Sequence, residues 1–171
     1  MKKINVFFES EVVFDFPFEK ITEEEINNIL PGYFNGKDFF IEFYTFNNGG
    51  YFSEGACFYR DVFYEIKPND YNRIGVESFY YISKKIEDDG SPLSSSLKVK
   101  ALTYKNYPEL RAFLGKHFPF AGDSGSGDYW IDIVSGEIKY VRLESLPLQI
   151  VTVAPTFCDF CLNIRPVRES I

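Results

Sequence analysis

The clearest structural commitment in the chain is YWIDIV-SG-EIKYVRL, residues 129–143. It reads as a β-hairpin with Ser135-Gly136 as its turn. Further strand signals surround it. INVFF (4–8) and VVFDF (12–16) read as an N-terminal pair, and GACFYRDVFYEI (55–66) and GVESFYYISKKI (75–86) are rich in aromatic and β-branched residues.

Four helix signals lie between these strands. TEEEINNIL starts at Thr22 with Glu25 three residues on, a capping-box spacing, and Ile26, Ile29 and Leu30 share one face. KDFFIEFYTFNNGG sets Phe39, Phe43 and Phe46 at helical spacing, widened by Phe40 and Tyr44, and the glycines 49 and 50 stop it. NYPELRAFLGKHF offers Asn106 as cap and Pro108 in the first turn, with Leu110, Phe113 and Leu114 facing inward. TFCDFCLNI has Thr156 as cap, with Phe157, Phe160, Cys161 and Ile164 on one stripe. Helices and strands do not alternate regularly. The predicted class is therefore α+β, a central, largely antiparallel sheet with about four helices, rather than a doubly wound sheet.

No repeat is present, and the linker-like EDDGSPLSSS (87–96) is too short to divide the 171 residues, so one domain is expected. With 19 Phe and 12 Tyr the chain is too aromatic for a disordered one. Acids at 9, 11 and 15 interrupt any apolar signal-peptide core, and no run is long enough for a membrane helix. Three cysteines, Cys57, Cys158 and Cys161, do not make a disulfide framework. A cytoplasmic protein is the expectation.

The net charge of −7 is uneven: residues 1–89 carry 9 Lys/Arg against 17 Asp/Glu, whereas the remainder is nearly balanced. Seven of those acids fall within 9–25, beside the single Lys20. Such a field repels nucleic acid and favours basic partners, and it also serves as a solvated surface that keeps a protein soluble. Glu19, Glu23 and Glu24 are the candidate partner-binding residues.

HFPFAGDSGSGDYW (117–130) gathers the only His, the only Trp, two aspartates and three glycines. It is not a phosphate loop: Asp128 and Tyr129 follow Gly127 where Lys and Ser/Thr are required. Asp123 and Asp128 are five apart with glycines between them, which does not match a calcium loop. A turn between two strands fits better, with Asp123 on its surface and Gly127 suited to a positive φ. His117 has no nucleophile in a recognisable motif nearby. Cys158-x-x-Cys161 lacks a convincing second ligand pair for zinc, and Cys161 lies on the apolar stripe. No catalytic, cofactor or metal residues are assigned.

Taken in order, Leu30-Pro31, Asn48-Gly49-Gly50, Pro119-Phe120-Ala121, Asp123, Gly127-Asp128, Asp132 and Gly136 resemble the pattern of the SUKH superfamily. The branch is the one named for the yeast cell-wall glucan-synthesis regulators Smi and Knr. The match spans about residues 22–164. The first 20 residues, and YFNGK inserted after Leu30-Pro31, depart from it. The resemblance implies an α+β fold and a non-enzymatic role. That role is an immunity protein that neutralises a toxin by stoichiometric binding or, alternatively, a regulator or adaptor in cell-wall synthesis or secretion. A small-ligand or enzymatic site around His117–Asp128 is the third reading.

Overall fold

The computed structural model describes residues 7, 10–16, 18–30, 32–83, 104–145 and 148–168. Two helices come first, α1 (Glu23–Ile29) and α2 (Lys37–Phe46), then strands β1 (Gly50–Tyr59) and β2 (Arg73–Phe79). A 3₁₀ turn, Pro108–Leu110, leads into the short α3 (Arg111–Leu114). Next come β3 (His117–Gly122), β4 (Gly127–Asp132), β5 (Ile138–Arg142) and β6 (Gln149–Ala154), and α4 (Phe157–Leu162) and β7 (Arg165–Pro166) close the order. All seven strands form one sheet, β6-β5-β4-β3-β2-β1-β7, and every pairing is antiparallel. The fold is α+β with a central antiparallel sheet.

The local signals held where their cause is local. Thr22 and Glu25 form a full capping box on α1, and the Thr156 hydroxyl caps α4. Other boundaries and faces moved. Ile29 is exposed, so α1 buries only Ile26. Of the five residues expected on the face of α2, Phe40, Phe43 and Tyr44 are buried and Phe39 and Phe46 are half-buried. Asn106 caps nothing among the described residues; the segment opens as 3₁₀ from Tyr107, and α3 keeps only four residues. α2 ends at Phe46, before the glycines expected to stop it, β1 begins at Gly50 itself, and it ends at Tyr59, because Arg60–Val62 turn into a 3₁₀ helix. Of the expected N-terminal strand pair, 4–6 and 8 lie outside the described residues, and 12–16 contributes a single bridge, Asp15 to Tyr51. The 87–96 segment also lies outside them.

Successive residues of a strand face opposite sides of a sheet, and here they serve two apolar clusters. Tyr129 joins the large one, where Phe40, Phe43, Phe79, Phe120, Phe157 and Phe160 meet beneath α2 and α4. The rings meet mostly tilted or edge-on, as at Phe40–Phe157 (5.0 Å) and Phe120–Phe157 (5.2 Å), the geometry their quadrupoles favour. Trp130 joins the smaller cluster with Tyr104, Leu110 and Val141, packed by Phe113 and Leu114 of α3.

Two buried cations tie loops to this frame. Lys37 donates to the carbonyls of Leu30 and Gly32, so it closes the loop that carries the inserted YFNGK. Arg60, 6% exposed, donates from Nε to Thr152 O of β6 at 2.8 Å and from Nη1 to Tyr71 O at 2.5 Å. Its third contact is Asp70 Oδ2 at 3.1 Å. The loop after β1 is thereby pinned to the far edge of the sheet, and one edge carbonyl is occupied by a guanidinium, which blunts strand addition there.

Candidate functional site

The stretch 117–130 is two strands and a four-residue turn, 123–126. Asp123 organises that turn. Its Oδ1 accepts from the N–H groups of Gly125 (2.8 Å) and Gly127 (3.0 Å), and its Oδ2 accepts from the Tyr140 hydroxyl at 2.5 Å. The expectation of a surface Asp123 is therefore corrected: the side chain is half-buried and fully engaged. Gly127 is corrected too. Its φ is not positive, and glycine is required instead because a Cβ would collide with the Tyr140 ring and hydroxyl. Asp128 is buried and accepts from the Tyr80 hydroxyl. Burial first, then the Asp128 and Asp123 carboxyls, push the Tyr80 hydroxyl far above its ordinary pKa, so it remains a donor.

Pro119-Phe120-Ala121 has an equally direct cause. Pro119 pairs with Trp130 and Ala121 with Tyr129, so Phe120 is the extra residue of a β-bulge. A bulge tolerates a proline with no N–H to give. Phe120 enters the core, and its carbonyl accepts from Tyr80 N at 2.7 Å.

The β4–β5 hairpin closes through the loop 133–137 rather than through the two-residue turn expected at Ser135-Gly136. Asp132 Oδ1 accepts from Val134 N (2.8 Å) and Ser135 N (3.1 Å), an Asx-type turn. Gly136 sits at φ +82°, and a Cβ there would collide with the Asn35 carbonyl. Partial burial opposes ionisation of Asp132. The two N–H groups and nearby His117 outweigh it and hold the carboxyl below the usual range.

His117 starts β3 directly opposite Asp132 and stacks on Phe113, centroids 3.7 Å apart. Nδ1 lies 2.8 Å from Phe113 O, an acceptor only, so this nitrogen carries the proton. The neutral ring then turns a bare Nε2 toward Asp132 Oδ2 at 3.4 Å. Burial lowers the His117 pKa more than the Phe113 carbonyl and Asp132 raise it. The shift favours the neutral ring, which the Phe113 carbonyl and the stack on the Phe113 ring hold in place while Nε2 makes no hydrogen bond.

Asn48-Gly49-Gly50 is a junction of three chain segments. The Asn48 amide donates to Glu19 O (2.8 Å) and Ile82 O (2.9 Å) and accepts from Ile82 N (2.8 Å). Gly49 has φ +74°, and a Cβ there would meet the Tyr81 backbone nitrogen at 2.7 Å. Leu30 ends α1 and gives its carbonyl to Lys37; Pro31 lies outside the described residues.

Glu19, Glu23 and Glu24 are all exposed, and none makes an ion pair among the described residues. Glu23 and Glu24 stand in the first turn of α1, where the helix dipole favours carboxylates. Sequence reasoning missed their apolar company. Val13 and Phe16 are 40% and 46% exposed on the strap 11–16, which Asp15 ties to Tyr51, itself 45% exposed. The available signal was an apolar run enclosed by acids on both sides, read instead as one of an N-terminal strand pair.

Cys57 and Cys161 are buried free thiols and Cys158 is half-buried; burial and then neighbouring Asp159 raise the Cys158 thiol pKa, which favours an unreactive thiol. Among the described residues no three His, Cys, Asp or Glu side chains gather as a metal-holding group, and no helix is long and apolar enough to cross a membrane. No family model, no curated protein and no solved structure matches the chain.

Proposed function

We propose that this chain is a non-enzymatic protein-binding module that neutralises a basic partner by stoichiometric binding, as the immunity proteins of the SUKH superfamily do. The observation that carries this reading is the row of exposed carboxylates, Glu19, Glu23 and Glu24, with no cation paired to them among the described residues. Unpaired like charges repel one another, and an opposite surface relieves that repulsion. A basic nucleic-acid cleft of a toxin is the surface such a field matches, the carboxylates standing where phosphates would lie. Asn48, Asp123, Asp128 and Asp132, by contrast, are engaged in joining segments, turns and strands, which is an architectural role.

The test is capture from an extract of the native host by wild type and by a Glu19→Lys/Glu23→Lys/Glu24→Lys variant in parallel. A basic protein held in a defined ratio by wild type, and released by the variant and by high salt, is the expected result. Proteins held equally by both chains would contradict the reading.

A further inference from the structure

The chain contains two Asn-Gly pairs, Asn35-Gly36 and Asn48-Gly49, and the fold treats them oppositely. Asparagine before glycine is prone to attack on its own side chain. Glycine has no Cβ to shield its amide nitrogen or to restrict the turn that brings that nitrogen onto the side-chain carbon. The attack requires that side chain and nitrogen be free to meet. At Asn48 they are not. The residue is buried, Nδ2 donates to Glu19 O and Ile82 O, and Oδ1 accepts from Ile82 N. The Gly49 nitrogen donates to Asn47 O at 2.8 Å.

Asn35 is the reverse case. It is exposed in the loop before α2, and its side chain has no hydrogen-bond partner among the described residues. The Gly36 nitrogen has none there either. The first bonds of α2 run from Lys37 N to Phe34 O and from Phe40 N to Gly36 O, and they bypass it. Gly36 is the N-cap at φ +88°, with no side chain to bond the helix start. The Asn35 backbone, in contrast, is closely packed, since its carbonyl leaves no room for a Cβ on Gly136.

We propose that Asn35 is a site of spontaneous deamidation in the native protein, while Asn48 is spared. The Gly36 nitrogen loses its proton to solvent base and bonds to Asn35 Cγ. The Cγ–Nδ2 bond breaks, and Nδ2 leaves as ammonia with a proton taken from water. Water then opens the resulting succinimide ring at either carbonyl. Opening at Cγ gives aspartate; opening at the main-chain carbonyl gives isoaspartate. The net change is one amide and one water to one carboxylate and one ammonium, with no oxidation. The chemistry asks nothing of a partner. Aspartate keeps the backbone and sets a carboxylate just before the N-cap of α2, where the helix dipole favours it. Isoaspartate routes the main chain through the side-chain carbons and lengthens it where Asn35 meets Gly136, so it loosens the start of α2 from the β4–β5 loop.

The full chain, native and unfolded in guanidinium chloride, is incubated in warm, mildly alkaline buffer and mapped by mass spectrometry with fragmentation that separates the two acids. In the native sample Asn35 should convert and Asn48 should stay intact; in the unfolded sample both should convert at comparable rates. Asn35→Gln, whose longer side chain needs a larger ring, should abolish the native conversion. Native Asn35 left intact while the unfolded sample converts would overturn the proposal, because the fold would then protect both pairs. Native Asn48 converting as fast as Asn35 would overturn it too. The purified isoaspartate form should unfold at lower urea than Asn35→Asp, and equal midpoints would refute the loosened contact with Gly136.

Discussion

Replacing Asn48 with Ala removes three hydrogen bonds at one point and tests whether the strap, the end of α2 and the segment after β2 are joined there. Glu19 O lies on the exposed strap and can take water, so its loss costs about 1 kcal/mol net. Ile82 is 3% exposed, and both its N–H and its carbonyl would be left without the partners they now have. Each buried orphan costs about 1–3 kcal/mol. The sum is about 4 kcal/mol, a large share of the roughly 5–15 kcal/mol that stabilises a typical domain. At an m-value of about 2 kcal/mol/M the urea midpoint should fall by about 2 M. Asn48→Asp should do no better, because it keeps the acceptor for Ile82 N but turns a carboxylate toward two carbonyl oxygens. Hydrogen exchange at Ile82 and protease cleavage within 11–19 should rise in both variants. A loss below about 1 kcal/mol with unchanged exchange at Ile82 would refute the three-segment junction.

Tyr80→Phe should cost about 2 kcal/mol in urea unfolding, since the buried Asp128 carboxyl loses a hydroxyl donor. Gly127→Ala should cost about 1–3 kcal/mol by forcing Tyr140 aside; a neutral result would mean that ring yields freely. The folded-state pKa of His117 is depressed below its ordinary 6.5, so the unfolded chain takes up the proton first as pH falls. The His117 contribution is full above pH about 6.5 and is lost toward its lower folded pKa. His117→Gln should flatten the stability–pH curve in that window, and an unchanged slope would be the contrary result. Thiol labelling of the native protein should modify Cys158 slowly, and Cys57 and Cys161 only on unfolding.

What was legible in the sequence has causes within a few residues. Thr22 with Glu25, and Thr156 with Asp159, are caps whose partners lie three positions away. The strands around 117–143 were legible as aromatic and β-branched runs punctuated by the 123–126 and Ser135-Gly136 turns, and their pairing follows that order. Loop lengths were less legible, because the β4–β5 loop is set by Asp132 bonding its own backbone rather than by the Ser-Gly pair. Of the five closely spaced rings expected on α2, Phe40, Phe43 and Tyr44 go fully under where Phe157, far along the chain, packs on them, which no local signal could rank. Arg60, bonded across 92 positions to Thr152, carries no local sign of that role. The acids of the candidate surface were visible as charges. The exposure of Val13 and Phe16 was not, since it depends on how the chain crosses Tyr51 and Phe46.

The binding account is tested most directly by the association rate of the captured partner with wild type and with Glu19→Lys/Glu23→Lys/Glu24→Lys, at 0.1 M and 1 M salt. The screening length falls from about 10 Å to about 3 Å between these conditions. Steering by the strap predicts a much faster rate for wild type at 0.1 M, with the two proteins converging at 1 M. Equal rates at 0.1 M, with both proteins folded, would contradict it.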